Sequence, residues 1–261
     1  MMADNFLSIG DENISLPQAL GYLRASGDLQ KFIMRILRQH VIAKEVAGEN
    51  EIEVEASQVE QAIVNFRLQN QLVNPEAFDK WLTSQGTNYV EFRKQVTGGL
   101  KIELLKQQIT SSKVEEVFNQ NKASFEQVIL SRIVVNDLEK AEELKRQLDA
   151  KEVEFEKLAK EESTTSDRVF NGMMGAMTMG QLPESLRELL KDAEPGAIIG
   201  PVQNQEMYSI MRLEERIPAT LSGQLKQNLE EQIFEQWWQA KLQDMPVKLH
   251  LNPAKDDETA S

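Results

Sequence analysis

The feature that most constrains this chain lies near its end. After Pro218, apolar residues recur at Leu221, Leu225, Leu229, Ile233, Phe234 and Trp237, the spacing of a helix with one strongly apolar face. No helical pattern adjoins it in sequence, so its partner must come from elsewhere. The start of the chain supplies one. From Gly27 to Ala47 the stripe Leu29, Phe32, Ile33, Ile36, Leu37 and Val41 reads as an amphipathic helix, with His40 at its border. Ser57-x-x-Glu60 has the form of a capping box and precedes Ile63 and Phe66; Phe78, Trp81 and Leu82 mark a short helix. Asn88-x-x-Glu91 opens another through Phe92, Val96, Leu100 and Leu104, and Ser112-x-x-Glu115 caps one that ends near Asn121. Residues 1–121 therefore read as all-helical. The helix within residues 217–245 is expected to dock on them, with everything between as an insertion. Residues 246–261, ending in the polar PAKDDETAS, are expected to form a tail.

The insertion has a different texture. Val128-Ile129-Leu130 and Ile133-Val134-Val135 form an apolar, β-branched run that reads as a buried strand. Asn136-x-x-Glu139 caps a helix through Ala141, Leu144 and Leu148, and a second helix carries Phe155, Leu158 and Ala159. A polar loop, Ser163 to Arg168, leads into NGMMGAMTMGQLPESL at 171–186, which packs Met173, Met174, Met177 and Met179 between glycines. After the turn Glu194-Pro195-Gly196, Ile198–Val202 and Met207–Leu213 read as a hairpin. The expected fold class is thus α+β, an all-helical N-terminal module completed by a C-terminal helix, with a β–α domain inserted at 122–216. In a strand of regular alternation Met173 and Met177 share one face and Met174 the other, so the four methionines cannot all line one pocket. They fill the core, floor an apolar site, or divide between the two.

Composition removes several function classes. A net charge of −13 argues against nucleic acid and against docking on an anionic membrane. The absence of cysteine excludes disulfides, thiolate nucleophiles and Cys-ligated zinc. With only His40 and His250, far apart, no metal site, cofactor or histidine-based triad is expected. The opening MMADNFLSIGDENISL has no basic segment followed by an apolar run, and no stretch approaches the ~20 apolar residues of a membrane span. On that basis the expected compartment is the cytoplasm, with no membrane insertion.

The motifs Phe155-x-x-Leu158-Ala159-x-x-x-Ser163, Gly172 and Gly175, Gly180-Gln181-Leu182-Pro183, and Pro195-Gly196-x-Ile198-x-Gly200-Pro201-Val202 follow in an order that resembles the parvulin family of peptidyl-prolyl isomerases. The resemblance covers roughly residues 124–216, and the flanking helices resemble those of SurA- and PrsA-type parvulin chaperones. It implies an FKBP-like β–α domain acting on X-Pro bonds of unfolded or extended proline-containing polypeptides. It also implies site residues, with departures. The family's first-strand histidine position falls on Arg132, the cysteine or aspartate position on Thr165, and the last-strand histidine position on Ser209, which makes these the candidate catalytic residues. An aspartate position falls on Met173. The substrate-binding set is Met173, Met174, Leu182, Leu186 and Asn204, an apolar cup with a replaced polar rim. Val135-Asn136-Asp137-Leu138-Glu139 offers no Arg or Lys to a phosphate before the proline, so phosphorylation dependence is not expected. The resemblance leaves two readings, a weak isomerase and a degenerate domain that only binds. The rings of Phe78, Trp81, Phe92, Trp237 and Trp238 either line a client groove or form ordinary core. Nothing in the sequence sets the oligomeric state.

Overall fold

A computed structural model describes residues 5–48, 52–243 and 245–249; the segment PAKDDETAS and His250 lie outside the described residues. The chain forms two compact units. One runs up to Val114 and resumes at Asn228; the other is Glu115–Gln227.

The first unit opens with a feature that helical periodicity missed. Strands β1 (Asn5–Ile9) and β2 (Glu12–Ser15) pair antiparallel about the two-residue loop Gly10–Asp11, so the expectation of an all-helical start is corrected there. The strands are too short to register against a helical window, and Gly10–Asp11 is the turn signal that decides. Helices α1 (Leu16–Ala25), α2 (Leu29–Val46), α3 (Ala56–Gln69), α4 (Pro75–Ser84) and α5 (Tyr89–Thr110) follow. Helix α3 starts earlier than the Ser57 box implies, with Glu55 at its N-cap and the Glu55 N–H donating to Gln58 Oε1 at 3.3 Å. Helix α5 starts at its expected cap, where the Asn88 side chain accepts from the Glu91 N–H at 3.0 Å.

The terminal helix, Gly223–Gln243, buries Leu229, Ile233, Phe234 and Trp238. Phe234 sits in one apolar cluster with Ile42 of α2, Leu105 of α5 and Ile52. Ion pairs at the rim join Arg38 to Glu235 (2.8 Å), Lys106 to Glu231 (2.7 Å) and Lys241 to Glu45 (2.9 Å). Exposed pairs of this kind contribute about 0–1 kcal/mol each, so the buried ring carries the docking. A second cluster gathers Val59 and Ile63 of α3, Phe78 and Leu82 of α4 and Phe92 of α5. Phe66, Trp81 and Phe92 meet there at centroid distances of 5.1–5.6 Å. Of the rings named from sequence, Phe78, Phe92 and Trp238 are buried as core, and Trp81 and Trp237 are partly buried against it.

The second unit holds α6 (Val114–Phe125), β3 (Gln127–Val135), α7 (Leu138–Asp149), α8 (Phe155–Glu162), a 3₁₀ turn (Ser166–Phe170), β4 (Met173–Thr178), α9 (Glu184–Leu190), β5 (Ile198–Asn204) and β6 (Met207–Ile217). The strands form one antiparallel sheet in the order β4-β3-β6-β5. Helices α7 and α8 cover one face, where Ile133, Val135 and Ile210 meet Leu144, Phe155 and Leu158. Leu182, Leu186 and Leu190 cover the other against Val128, Leu130, Met211 and Leu213. Both faces of β3 are covered, which is why its sequence is nearly continuous in apolar residues. Helix α7 is capped by Asp137, whose carboxylate accepts from the Lys140 N–H at 2.8 Å, one residue beyond the expected Asn136.

The methionine stretch departs from regular alternation for a local reason. Leu130 pairs with Gly175 and Ser131 with Met173, so Met174 is an extra residue in a bulge, beside a Gly175 at φ +81°. The bulge resets the pleat, and Met174 and Met177 both pack on the cluster that buries Met179, while Met173 is 55% exposed.

Phe234→Ala is expected to lower the stability of the first unit by about 3–5 kcal/mol, read in a denaturant titration of the full chain. An unchanged midpoint for that unit would show that the terminal helix is not part of its core.

Candidate active site

The pairing of β3 with β4 ends at Ser131, leaving the edge of β3 from Arg132 to Val134 in need of partners. The segment 163–172 supplies them. The Arg132 N–H donates to Gly172 O (2.8 Å) and the Thr164 N–H to Val134 O (2.9 Å). The Val134 N–H donates to Ser163 Oγ (3.1 Å), and Thr164 Oγ1 donates to Val134 O (3.1 Å). Gly172 is required at its position, since a Cβ there would lie 2.0 Å from Arg132 O at a φ of +75°.

Side chains knit the same segment into a polar network. Arg132 Nε donates to Asp167 Oδ2 at 2.7 Å, and Thr165 Oγ1 donates to Asp167 Oδ1 at 2.5 Å. Thr165 Oγ1 lies 3.0 Å from Ser163 Oγ, and the backbone carbonyl of Asp167 accepts from the Gly172 N–H at 2.9 Å. Arg132 is held through Nε alone among the described residues, so the N–H groups of its two terminal nitrogens remain for a ligand. Helix α8, which leads into Ser163, is fixed at its first turn. Arg212 bonds Glu156 (2.6 Å) and Glu214 (2.9 Å) and lies 4.7 Å from the centre of the Phe155 ring. The hydrogen bond from Arg212 holds the Glu156 carboxyl below its ordinary range.

The sequence-derived residues fall into three groups. Arg132 and Thr165 come together, joined through Asp167. Ser209 faces Val134 on β3 and Val202 on β5 and is buried, two residues from Met211, the partner of Arg132. By the pleat, Arg132, Ser209 and Met211 share the sheet face that packs on Leu182 and Leu186. Met174, Leu182 and Leu186 belong to one cluster, with Leu182 at 8% and Leu186 at 5% exposure. The expected cup is therefore closed as core at these two leucines, with Met174 at its border. The two remaining positions stand apart: Met173 is exposed, and Asn204 sits at the turn end of the β5–β6 hairpin, paired with Met207.

Two members of the network were not anticipated: Asp167 and, as a side-chain partner of the strand, Ser163. The signal for Asp167 was Arg132 itself, since a guanidinium inside an apolar strand calls for a counter-charge and the loop 163–168 holds the next acid after α8. On the same 3₁₀ turn Val169 and Phe170 are exposed, Phe170 at 72%, an apolar lip beside the network.

Comparison with known proteins bears on this geometry. Residues 136–215 match the family described as Rotamase, PPIC-type PPIase domain. Chaperone SurA of Xanthomonas euvesicatoria pv. vesicatoria is 23% identical over 199 residues, 69% of this chain and 43% of the relative. Foldase protein PrsA of Exiguobacterium sibiricum is 30% identical over 156 residues, 58% of this chain and 50% of the relative. The chain thus spans about half the length of the curated relatives it matches. A solved structure from Campylobacter jejuni, described with two SurA-like chaperones of which one is a periplasmic protein, aligns over 94% of this chain and 100% of its own at 16% identity and a TM-score of 0.34. Residues 136–215 are thus similar to the PPIC-type PPIase family, and the chain around them is similar to SurA and PrsA proteins. The curated SurA and PrsA relatives correct the expected cytoplasmic location, because proteins of those families are periplasmic or secreted. That expectation rested on where this sequence begins, which does not report a compartment. Among the described residues no helix is long and apolar enough to cross a membrane.

Two glycine substitutions separate the backbone contact from the backbone conformation. Gly172→Ala meets Arg132 O, whereas Gly175→Ala has a similar φ and open space around it. Unfolding of the full chain should show Gly175→Ala costing about 1–3 kcal/mol from strain alone and Gly172→Ala clearly more. Equal losses would contradict the docking of segment 163–172 on β3.

Proposed function

Starting from an isomerase domain of the PPIC type at residues 136–215, we propose that the chain binds extended, proline-containing segments of unfolded polypeptides and isomerises their X-Pro bonds slowly, without need of a phosphate. The observation that carries this is the Arg132–Asp167–Thr165 network standing beside the partly buried Met174, at the border of the core that closes over Leu182 and Leu186. The reaction needs no covalent step. Rotation about an amide faces a barrier of about 18–20 kcal/mol, and a site lowers it by binding the twisted amide better than the planar one. An apolar surface takes the proline ring, and a donor to the prolyl nitrogen stabilises the lone pair which that atom regains as the amide leaves conjugation. The terminal N–H groups of Arg132, with the guanidinium oriented by Asp167, are such a donor. Removal of one preorganised donor costs about 10²–10³ in rate in acyl-transfer enzymes, which sets an upper scale here.

Two observations support independence from phosphorylation. The link from β3 to α7 is only Asn136-Asp137, and the Asp137 carboxylate caps the helix. Lys140, the first cation after it, is paired with Glu162 at 3.0 Å. A dianionic phosphate meets an acid there rather than a fork of cations.

A second reading has its own support. Leu182 and Leu186 are packed as core, and the positions that carry histidines in the resembling family hold Arg132 and Ser209. Under that reading the domain grips client segments at its apolar lip, Val169 and Phe170, and does little catalysis. In both readings the protein acts as a chaperone for unfolded polypeptides, which fits the SurA and PrsA relatives.

A protease-coupled assay on the full chain separates the two. Acceleration of Leu-Pro and Glu-Pro peptides, with a phosphoserine-Pro peptide no faster than its glutamate analogue, is the expected result, and Arg132→Gln should lower kcat/KM by roughly tenfold or more. Peptide binding without acceleration would select the binding-only reading. A preference for phosphoserine would sink the phosphate claim.

A further inference from the structure

The three arginines of the four-stranded sheet differ in what they have left to donate. Arg216 uses all three guanidinium nitrogens inside the fold: Nε on Ala193 O (2.9 Å), Nη1 on Glu126 (2.9 Å) and Nη2 on Leu190 O. Arg212 bonds Glu214 through Nε and Glu156 through Nη2. Arg132 bonds Asp167 through Nε alone among the described residues, and the second oxygen of Asp167 is engaged by Thr165. The Arg132 side chain is 34% exposed, so its terminal nitrogens are within reach of solvent and of a ligand. The charge around it is unusual for this chain. Across β3 and residues 163–183 the charged residues are Arg132, Asp167 and the exposed Arg168, two cations against one anion, a net of +1 in a chain at −13.

Resting on the reading that a client's proline lies beside Arg132, we propose that Arg132 also selects the client: the site favours segments with an aspartate or glutamate immediately before the proline. Acidic side chains of this length bond backbone atoms of the next residues, so a carboxylate there lies near the prolyl nitrogen. One guanidinium then serves both groups, one terminal nitrogen donating to the prolyl nitrogen and the other to the carboxylate. The planar fork suits this, whereas a lysine ammonium would act as a single point charge. Charge fits a monoanion. One added carboxylate brings the local net of +1 to zero, while a dianionic phosphate overshoots it, which agrees with independence from phosphorylation. The two contacts act on different steps. The carboxylate is held in the planar and in the twisted amide alike, so it lowers KM and leaves kcat nearly unchanged, whereas the contact to the prolyl nitrogen acts on kcat.

Paired peptides that differ only as Glu-Pro and Gln-Pro test this on the full chain, with Kd from nuclear magnetic resonance titration and rates from the protease-coupled assay. The expected result is a Kd roughly fivefold lower for Glu-Pro, since the pair is partly exposed. The preference should lie in KM, with kcat equal to within about twofold, and should shrink as salt approaches ~1 M. Arg132→Gln should bring the two Kd values together, and Arg168→Gln should leave most of the difference. Equal Kd values for the two peptides in the wild-type chain overturn the proposal and leave the isomerase reading standing. So does a preference that survives Arg132→Gln, or one lost with Arg168→Gln alone. A Glu-Ala peptide bound as tightly as Glu-Pro strikes instead at the proline site itself, and the proposal falls with it.

Discussion

The backbone of β3 from Arg132 to Val134 is the point on which the site depends. The strand has β6 on one side along its whole length, but β4 only as far as Ser131. An edge left open at its buried end is costly, and the chain closes it with Gly172 O, the Ser163 hydroxyl and Thr164. Closing the edge brings residues 163–172 against the strand, and that places Thr165 and Asp167 beside Arg132. The polar network is thus a by-product of satisfying the strand, and the lip of Val169 and Phe170 is carried along with it.

Much of this was legible in sequence. The apolar run 128–135, the helical stripes of α2 and α5 and the apolar face of the terminal helix predicted elements that form, because long periodic patterns record burial directly. The hairpin of β1 and β2 was not legible to a helical window: its apolar residues are exposed and alternate over only a few positions. The methionine stretch was half legible. That the four methionines do not all line one pocket followed from strand alternation, but Met174 and Met177 share a face only because of a bulge, which is a pairing property and leaves no mark in one strand's own pattern. Family resemblance singled out Arg132 and Thr165, which the structure joins through Asp167. It had no means of showing Asp167, since the resembling family's acid maps to Met173, on the other side of the glycine at 172.

The substitutions have a consistent physical sense. A neutral histidine donates or accepts; Arg132 only donates, and stays charged, so it demands a carboxylate and obtains one from the adjoining loop. The pair is partly exposed, which limits its worth to stability and leaves orientation as its main effect. What the apolar side offers is less open than the resemblance implies, because Leu182 and Leu186 are committed to the core shared with α9. Under the proposed function a client's proline meets the partly buried Met174 and the guanidinium plane at the border of that core, since Met211 is as buried as Leu182.

The most direct test of this account is a double-mutant cycle on the affinity of the full chain for an extended X-Pro peptide, followed by nuclear magnetic resonance titration so that binding is read whether or not catalysis is fast. The variants are Arg132→Gln, Asp167→Asn and the two together. If Asp167 acts by holding Arg132, each single change costs nearly as much as the double, a coupling of about 0.5–3 kcal/mol. Costs that add to within about 0.3–0.5 kcal/mol, or a peptide affinity that none of the three variants changes, would contradict it.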